Sequence, residues 1–139
     1  MAILGQWLCV EHRQGTSLGG HSRALLEAGA GRVIGLDRDP HALAEARVTL
    51  APWAERVALV HADYRDLDAV LDAQGIRSVD GALADLGISS LQLEMAGRGF
   101  SFQRDEPLDM RMDTTQGETA ADLLARASEH EIADAIYQY

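Results

Sequence analysis

Asp85 is the side chain in this sequence that is best placed for chemistry. Residues 79–92 read as a short apolar strand that ends on this carboxylate and then turns at Gly87. In open α/β sheets, ligands bind in the crevice beyond the carboxyl ends of the strands. We therefore predict that Asp85 faces a bound molecule; the alternative is that it only caps the next helix. The turn behind it offers further polar groups, namely Gly87, Ser89, Ser90 and Gln92.

Asp37 ends a second apolar run, residues 32–37. In nucleotide-binding α/β folds, an acid at the end of the second strand accepts hydrogen bonds from ribose hydroxyls. We therefore predict that Asp37 binds a ribose. Asp39 and Pro40 then supply a helix N-cap and a first helical residue, and the apolar spacing that follows predicts a helix over residues 42–50.

Tyr64 follows a third apolar run, residues 56–61. Its ring could lie against an adenine, and Asp63 could accept a hydrogen bond from the adenine amino group. The alternative is that Tyr64 packs against the next helix, which we predict at residues 66–74.

A glycine-bearing turn, residues 15–22, precedes a helix predicted at residues 23–28. Such a turn lets the backbone approach a ligand closely, and a helix N-terminus directs N–H groups toward it. The G-x-G-x-x-G spacing of a dinucleotide site is absent. Taken alone, the turn is weak support for a ligand site, and an ordinary loop is the simpler interpretation.

The apolar runs alternate regularly with the helical segments. The first strand is predicted at residues 7–10 and the fourth at residues 79–86. This alternation indicates an α/β fold with about four parallel strands and right-handed crossovers. The fourth strand would then lie at an edge of the sheet, where an unpaired apolar strand invites aggregation or a partner.

Residues 97–113 follow neither the helical nor the strand period. We expect an ordered functional loop, because a disordered segment would rarely carry so many apolar side chains. The predicted anchors of this loop are Phe100, Phe102, Leu108, Met110 and Met112. Capping boxes at Thr119 and Ser128 then predict helices over residues 120–127 and 129–139, as the start of a helical subdomain.

The composition limits the class of protein and its partners. The 139 residues suffice for one domain of ordinary size, and 22 acids against 12 arginines and no lysine give a net charge of −10. This balance argues against a simple basic RNA-binding module, so any RNA contact must be local or made by residues outside this sequence. The single cysteine, Cys9, fits a reducing cytoplasm, and the apolar residues 1–10 are too few to span a membrane. We therefore expect a cytoplasmic protein without membrane attachment, and no metal site is predicted.

Five segments together resemble one known family. They are Gly19-Gly20-His21-Ser22, residues 35–40 (Gly-Leu-Asp-Arg-Asp-Pro), residues 85–93 (Asp-Leu-Gly-Ile-Ser-Ser-Leu-Gln-Leu), residues 98–102 (Arg-Gly-Phe-Ser-Phe) and residues 107–113 (Pro-Leu-Asp-Met-Arg-Met-Asp). The last two are the most specific. From about residue 19 onward the chain resembles the RsmH (MraW) family. Members of that family are S-adenosylmethionine-dependent methyltransferases that modify the exocyclic amine, N4, of a cytidine in 16S ribosomal RNA.

The resemblance implies a Rossmann-like class I methyltransferase sheet that binds S-adenosylmethionine. For such a reaction we predict that Asp85, or a carbonyl of the Leu86–Gly87 turn, is the catalytic group that holds the amine N–H and accepts its proton. The implied cofactor contacts are Gly19, Gly20, His21, Asp37, Tyr64, Asp85 and Gln92. The family tolerates phenylalanine at the position of Tyr64, which favours stacking over a role for the hydroxyl. The implied partner is small-subunit ribosomal RNA or the assembled small ribosomal subunit.

The sequence departs from the family pattern at its beginning. Family members reach the glycine turn through an Asp-x-Thr-x-Gly pattern that follows a leading helix, and this chain lacks the early acid, one glycine and that helix. We expect residues 1–93 to form a partial S-adenosylmethionine-binding domain, and residues 94–139 to form the loop and first helices of a helical insertion, without the family's C-terminal half. One alternative is a truncated or degenerate relative without activity. A less favoured one is a nucleotide-dependent oxidoreductase.

Overall fold

The computed structural model describes residues 6–11 and 19–138, with side chains from residue 19 onward. The first part of the predicted glycine turn, residues 15–18, lies outside the described residues. The chain divides into two compact units, Met1–Ser90 and Leu91–Tyr139. The predicted functional division after residue 93, into a cofactor-binding part and a helical insertion, stays a prediction.

The first unit alternates strands with helices, as the apolar runs predict. Its described strands are β1 Gln6–Glu11, β2 Arg32–Asp37, β3 Val57–His61 and β4 Gly81–Asp85. Its described α-helices are α1 Gly20–Glu27, α2 Pro40–Thr49 and α3 Leu67–Ala73. Short 3-10 turns occupy Ala51–Arg56 and Tyr64–Asp66. The α/β class is therefore confirmed.

The strands pair in parallel in the order β3-β2-β1-β4. The register places Glu11 opposite Asp85, and Asp37 opposite His61. Because every strand runs in the same direction, these residues lie at the carboxyl edge of the sheet. Within the described sheet β4 is an edge strand, as predicted.

β2 is buried on both of its faces. Ile34 and Leu36 pack with Val70 of α3 and with Ile76, which follows α3. Val33 points to the opposite face and packs with a second set of apolar side chains from α1, α2 and the residues that follow them, namely Leu26, Ala30, Ala46 and Leu50. Side chains of successive strand residues alternate between faces, so α3 covers one side of β2 while α1 and α2 cover the other.

Local capping signals set several helix boundaries. The Asp39 side chain accepts a hydrogen bond from the backbone N–H of His41 (2.9 Å), and Pro40 opens α2, which confirms the predicted start of this helix. α1 begins at Gly20, three residues earlier than predicted, because Gly19 serves as its N-cap with a φ of 85°. β3 begins at Val57, because Arg56 belongs to the preceding 3-10 turn.

The second unit holds three short helices in its described residues. They are α4 Ser90–Glu94, which starts at the boundary between the units, α5 Ala120–Arg126 and α6 Glu129–Gln138. Both predicted capping boxes form: the Thr119 hydroxyl accepts from the backbone N–H of Asp122 (3.1 Å), and the backbone N–H of Ser128 donates to Glu131 (2.8 Å). The sequence predicts a turn at the beginning of α4, and the structure has a short helix there instead. No helix of the described residues has the length and apolar character needed to cross a bilayer.

The prediction of apolar anchors in the 97–113 loop is largely wrong. Phe100 is buried, but Phe102 is fully exposed, and Leu108 and Met110 are each more than two-fifths exposed. Hydrogen bonds between charged side chains and backbone groups hold this loop instead.

The two-sided burial of β2 predicts a large effect of Ile34→Ala. Ile34 is 0% exposed, so truncation removes packed methyl groups and leaves a cavity that should lower the free energy of unfolding by about 2–5 kcal/mol. Urea unfolding followed by circular dichroism measures this loss. The matched control is Val48→Ala on α2, where the side chain is 74% exposed and the change should stay below about 0.5 kcal/mol. Equal effects of the two substitutions would contradict the placement of the core.

Candidate functional site

Asp37 and Asp85 end two strands that flank β1, at the same edge of the sheet. Neighbouring strands lie about 4.8 Å apart, so the two carboxylates start from backbone positions separated by roughly 10 Å. This edge is where ligands of open α/β sheets bind. The structure thus brings the two predicted acids to one side of the molecule, as the sequence analysis requires.

The Asp37 carboxylate is almost buried, at 7% exposure, and is held by the backbone. Its Oδ1 accepts a hydrogen bond from the N–H of Asp39 (2.7 Å), and Asp39 in turn caps α2. The orientation of the Asp37 carboxylate is therefore set by the first residues after β2. A rigidly held acceptor at this place can bind ribose hydroxyls at a small entropic cost, because it loses little conformational freedom on binding.

Gly19, Gly20 and His21 form the beginning of α1. The positive φ of Gly19 favours glycine, and a Cβ at this position would lie 3.3 Å from Leu50, tighter than an ordinary contact. The first backbone N–H groups of α1 have no carbonyl partner inside the helix and are suited to a polar ligand. The Nδ1 atom of His21 lies 3.6 Å from Oδ2 of Asp85, which joins the α1 start to the end of β4.

Tyr64 opens the 3-10 turn that follows β3, and its side chain is half exposed. A ring exposed to this degree retains a face for stacking, and its predicted contact with adenine stays a prediction. The adjacent Asp63 has structural partners: its carboxylate accepts from the N–H (2.9 Å) and the guanidinium (2.8 Å) of Arg65, and lies 3.2 Å from Arg38. The side-chain hydrogen bond from Arg65 lowers the pKa of Asp63 to about 2.

Gln92 belongs to the second unit, where it is buried in α4 at 1% exposure. Its predicted place near the methyl donor stays a prediction. Ser89 is also buried, at 3% exposure. Within residues 6–11 and 19–138, no group of three or more histidine, cysteine or acidic side chains could hold a metal ion.

His61 and Arg38 are polar residues at this edge that the sequence analysis did not single out. His61 lies opposite Asp37 in the β2–β3 register, and its Nε2–H donates to the carbonyl oxygen of Arg38 (2.9 Å). The signal was present, because His61 is the last residue of an apolar run just as Asp37 is. His61 could have been predicted from the sequence by considering the last residue of every apolar run.

The 97–113 loop of the second unit is tied together by Arg98 and Glu106. The Arg98 side chain is 3% exposed and donates to the carbonyl oxygens of Arg111 (3.0 Å) and Met112 (2.9 Å). The Glu106 carboxylate accepts from the N–H groups of Gly97 (2.6 Å) and Gly99 (3.2 Å). The loop is ordered, as predicted, but through hydrogen bonds between charged side chains and backbone groups.

Comparison with known proteins gives a specific match. Residues 14–139 match the model of the MraW methylase family. The chain belongs to the MraW methylase family. Similar curated relatives carry the name ribosomal RNA small subunit methyltransferase H. The protein of Sorangium cellulosum is 51% identical over 121 residues, and that of Anaeromyxobacter dehalogenans is 58% identical over 121 residues; each alignment covers 87% of this chain and 38% of the relative. The protein of Thermobifida fusca is 56% identical over 108 residues, which are 77% of this chain and 33% of the relative.

Membership of the MraW methylase family confirms the resemblance seen in the motifs. The chain spans about 38% of the length of the first two relatives, which is consistent with the predicted fragment. A methylase family also favours methyl transfer over the oxidoreductase alternative. The predicted site residues all fall within the matched range, residues 14–139, although their individual roles stay predictions.

The contacts of Asp63 predict how its pKa responds to Arg65→Ala. The substitution removes the side-chain hydrogen bond that lowers the pKa most, so the pKa of Asp63 should rise from about 2 toward 3.8. Carboxyl carbon NMR titration measures it, and Arg77→Ala, at an exposed arginine, is the control. Because the folded-state pKa lies below the unfolded-state value, this carboxylate adds stability above pH 4 or so that is lost as the pH falls toward about 2. An unchanged pKa in Arg65→Ala would contradict the pairing.

Proposed function

We propose that this chain forms the cofactor-binding part of an S-adenosylmethionine-dependent methyltransferase. Its proposed substrate is the exocyclic N4 amine of a cytidine in small-subunit (16S) ribosomal RNA. The observation that carries the proposal is the alignment of Asp37 and Asp85 at one sheet edge beside the start of α1. The names of the relatives support the substrate class.

S-adenosylmethionine fits the donors and acceptors at this edge. Asp37 would accept hydrogen bonds from the ribose hydroxyls, and the half-exposed Tyr64 ring would stack on the adenine. Gly19 and Gly20 would let the backbone of the α1 start come close to the cofactor. Gln92 is proposed to act near the methyl donor. When bound, the cofactor supplies an electrophilic methyl group on a sulfonium.

The chain's own contribution to catalysis is positioning and proton acceptance. Methyl transfer is an in-line displacement, which requires the amine about 3 Å from the methyl carbon with its lone pair aligned. A cytosine amine is a poor nucleophile because its lone pair is delocalised into the ring. Asp85, or a carbonyl of the following Leu86–Gly87 turn, would hold the amine N–H and accept its proton as the nitrogen–carbon bond forms. The target base is proposed to leave its stack to reach this edge.

The acidic charge limits how the RNA is held. With a net charge of −10, this chain does not attract phosphates over its whole surface. We therefore propose that the RNA, or the assembled small subunit, is contacted locally at the site and by residues outside this sequence. The substrate is found in the cytoplasm, where we propose that the protein acts.

Calorimetry with S-adenosylmethionine tests cofactor binding by this chain. We expect the wild-type chain to bind and Asp37→Asn to weaken binding about 10-fold or more, because a charge-assisted hydrogen bond to the ribose is lost. The asparagine oxygen can still accept from the N–H of Asp39, so the start of α2 is preserved. Asp72→Asn on the exposed side of α3 is the control and should bind like the wild type. A folded wild-type chain that does not bind would contradict the proposal and favour the degenerate relative.

Methyl transfer by an intact family member that carries this segment tests Asp85. Asp85→Ala should lower turnover on small-subunit RNA by about 100-fold or more, since the proton acceptor is removed. The assay counts labelled methyl groups in the RNA, with Asp72→Ala as the control. Turnover within a few-fold of the wild type would remove Asp85 from the mechanism.

A further inference from the structure

The contact between His21 and Asp85 joins two elements that are distant in sequence. His21 is the second residue of α1, and Asp85 is the last residue of β4. Nδ1 of the imidazole and Oδ2 of the carboxylate are 3.6 Å apart. The His21 side chain is 49% exposed and that of Asp85 is 23% exposed, so both remain partly accessible to solvent. The backbones of α1 and β4 therefore place the two side chains near each other, and the Asp85 carboxylate stays partly accessible.

Arg23, the described cation nearest to His21 in sequence, has a partner of its own. The guanidinium of Arg23 donates to Glu27 within the same helix (2.8 Å). His21 is thus well placed to be the donor that orients Asp85.

The orientation of a carboxylate matters in the proposed reaction. As the amine nitrogen forms its bond to the methyl carbon, the methyl–sulfur bond breaks with its electron pair left on sulfur. The amine proton must then pass to an acceptor that lies along the N–H direction. A freely rotating carboxylate would satisfy this geometry only part of the time, whereas a donor on one oxygen leaves the other oxygen at a defined position.

We propose that His21 is a positioning residue for Asp85, in which Nδ1–H donates to Oδ2 and turns Oδ1 toward the amine that is methylated. This inference rests on the proposed function. Both the neutral Nδ1–H form and the imidazolium carry the required donor. The separation of 3.6 Å between the two atoms must shorten to about 2.8 Å, a movement that two partly exposed side chains can make before any ligand binds. Asp85 then releases the proton it has accepted to water.

The tautomer of His21 tests the pair without any ligand. Nitrogen-15 NMR of this chain near pH 8, where a free imidazole is mostly neutral, should show the Nδ1–H tautomer for His21. Asp85→Ala removes the acceptor, so the signal should move to the Nε2–H tautomer; Asp72→Ala should leave it unchanged. His130, which lies 3.6 Å from Asp134 on α6, is an internal reference that neither variant should affect. A His21 tautomer that is the same with and without the Asp85 carboxylate would overturn the proposal.

Turnover of an intact family member that carries this segment tests the consequence for catalysis. His21→Leu removes the donor and should lower kcat about 10- to 100-fold, since small misplacements of reacting groups have effects of this size. His21→Asn keeps an N–H donor close to the position of Nδ1 and should recover most of the loss. Equal losses in the two variants would overturn the positioning role. The dissociation constant of S-adenosylmethionine, measured for both, separates an effect on cofactor binding from one on kcat.

The tautomer measurement and the turnover assay together distinguish a failure of the inference from a failure of the function on which it rests. If the wild type neither binds S-adenosylmethionine nor methylates RNA, the proposed function fails, and the tautomer still decides whether His21 donates to Asp85. If the wild type binds S-adenosylmethionine and methylates RNA, but Asp85→Ala leaves the His21 tautomer unchanged, the inference alone fails.

Discussion

The parallel pairing of β1 between β2 and β4 is the constraint on which the candidate site depends. It brings Asp37 and Asp85 to the same edge although 47 intervening residues separate them in sequence. The register is protected by burial, because a shift of β2 by one residue would exchange the face of Ile34 with that of Val33. Each face packs against different helices, so such a shift would disrupt both layers. The core thus sets the spacing of the site.

The parts of the fold that follow from local chemistry could be predicted from the sequence. Apolar runs ending in Asp37, His61 and Asp85 predict the strands. The run of β2 is continuous because that strand is buried on both faces. The helix start at Asp39–Pro40 follows from a single cap. α4 could not be found in this way. It has five residues, and a helix this short is not stable by itself but depends on packing elsewhere in the structure.

The 97–113 loop shows what periodicity cannot reveal. Its apolar residues were predicted to anchor it, yet Phe102 is exposed and the carboxylate of Glu106 binds the backbone N–H groups that the loop leaves unpaired. The loop requires glycine at position 99, because a Cβ there would lie 2.7 Å from the carbonyl oxygen of Pro107. Contacts between a charged side chain and backbone atoms many residues away leave no spacing pattern in the sequence. Order in such a segment can be inferred from its composition, but the groups that impose it cannot.

Many acids of this chain hold partners that are close to them in sequence. Seven of the described acids accept from a backbone N–H two or three residues away and serve as local caps, namely Asp37, Asp39, Asp63, Asp109, Asp113, Asp122 and Glu131. Such caps account for seven of the 22 acids without requiring any ligand. Asp85 differs, because the side chain beside its carboxylate is His21, which belongs to α1. A carboxylate that faces another element at a strand end is available to a bound molecule in a way that a local cap is not. This difference in partner favours the proposed role of Asp85 over the capping alternative. Asp37 is a cap of the turn after β2 and also the proposed ribose acceptor.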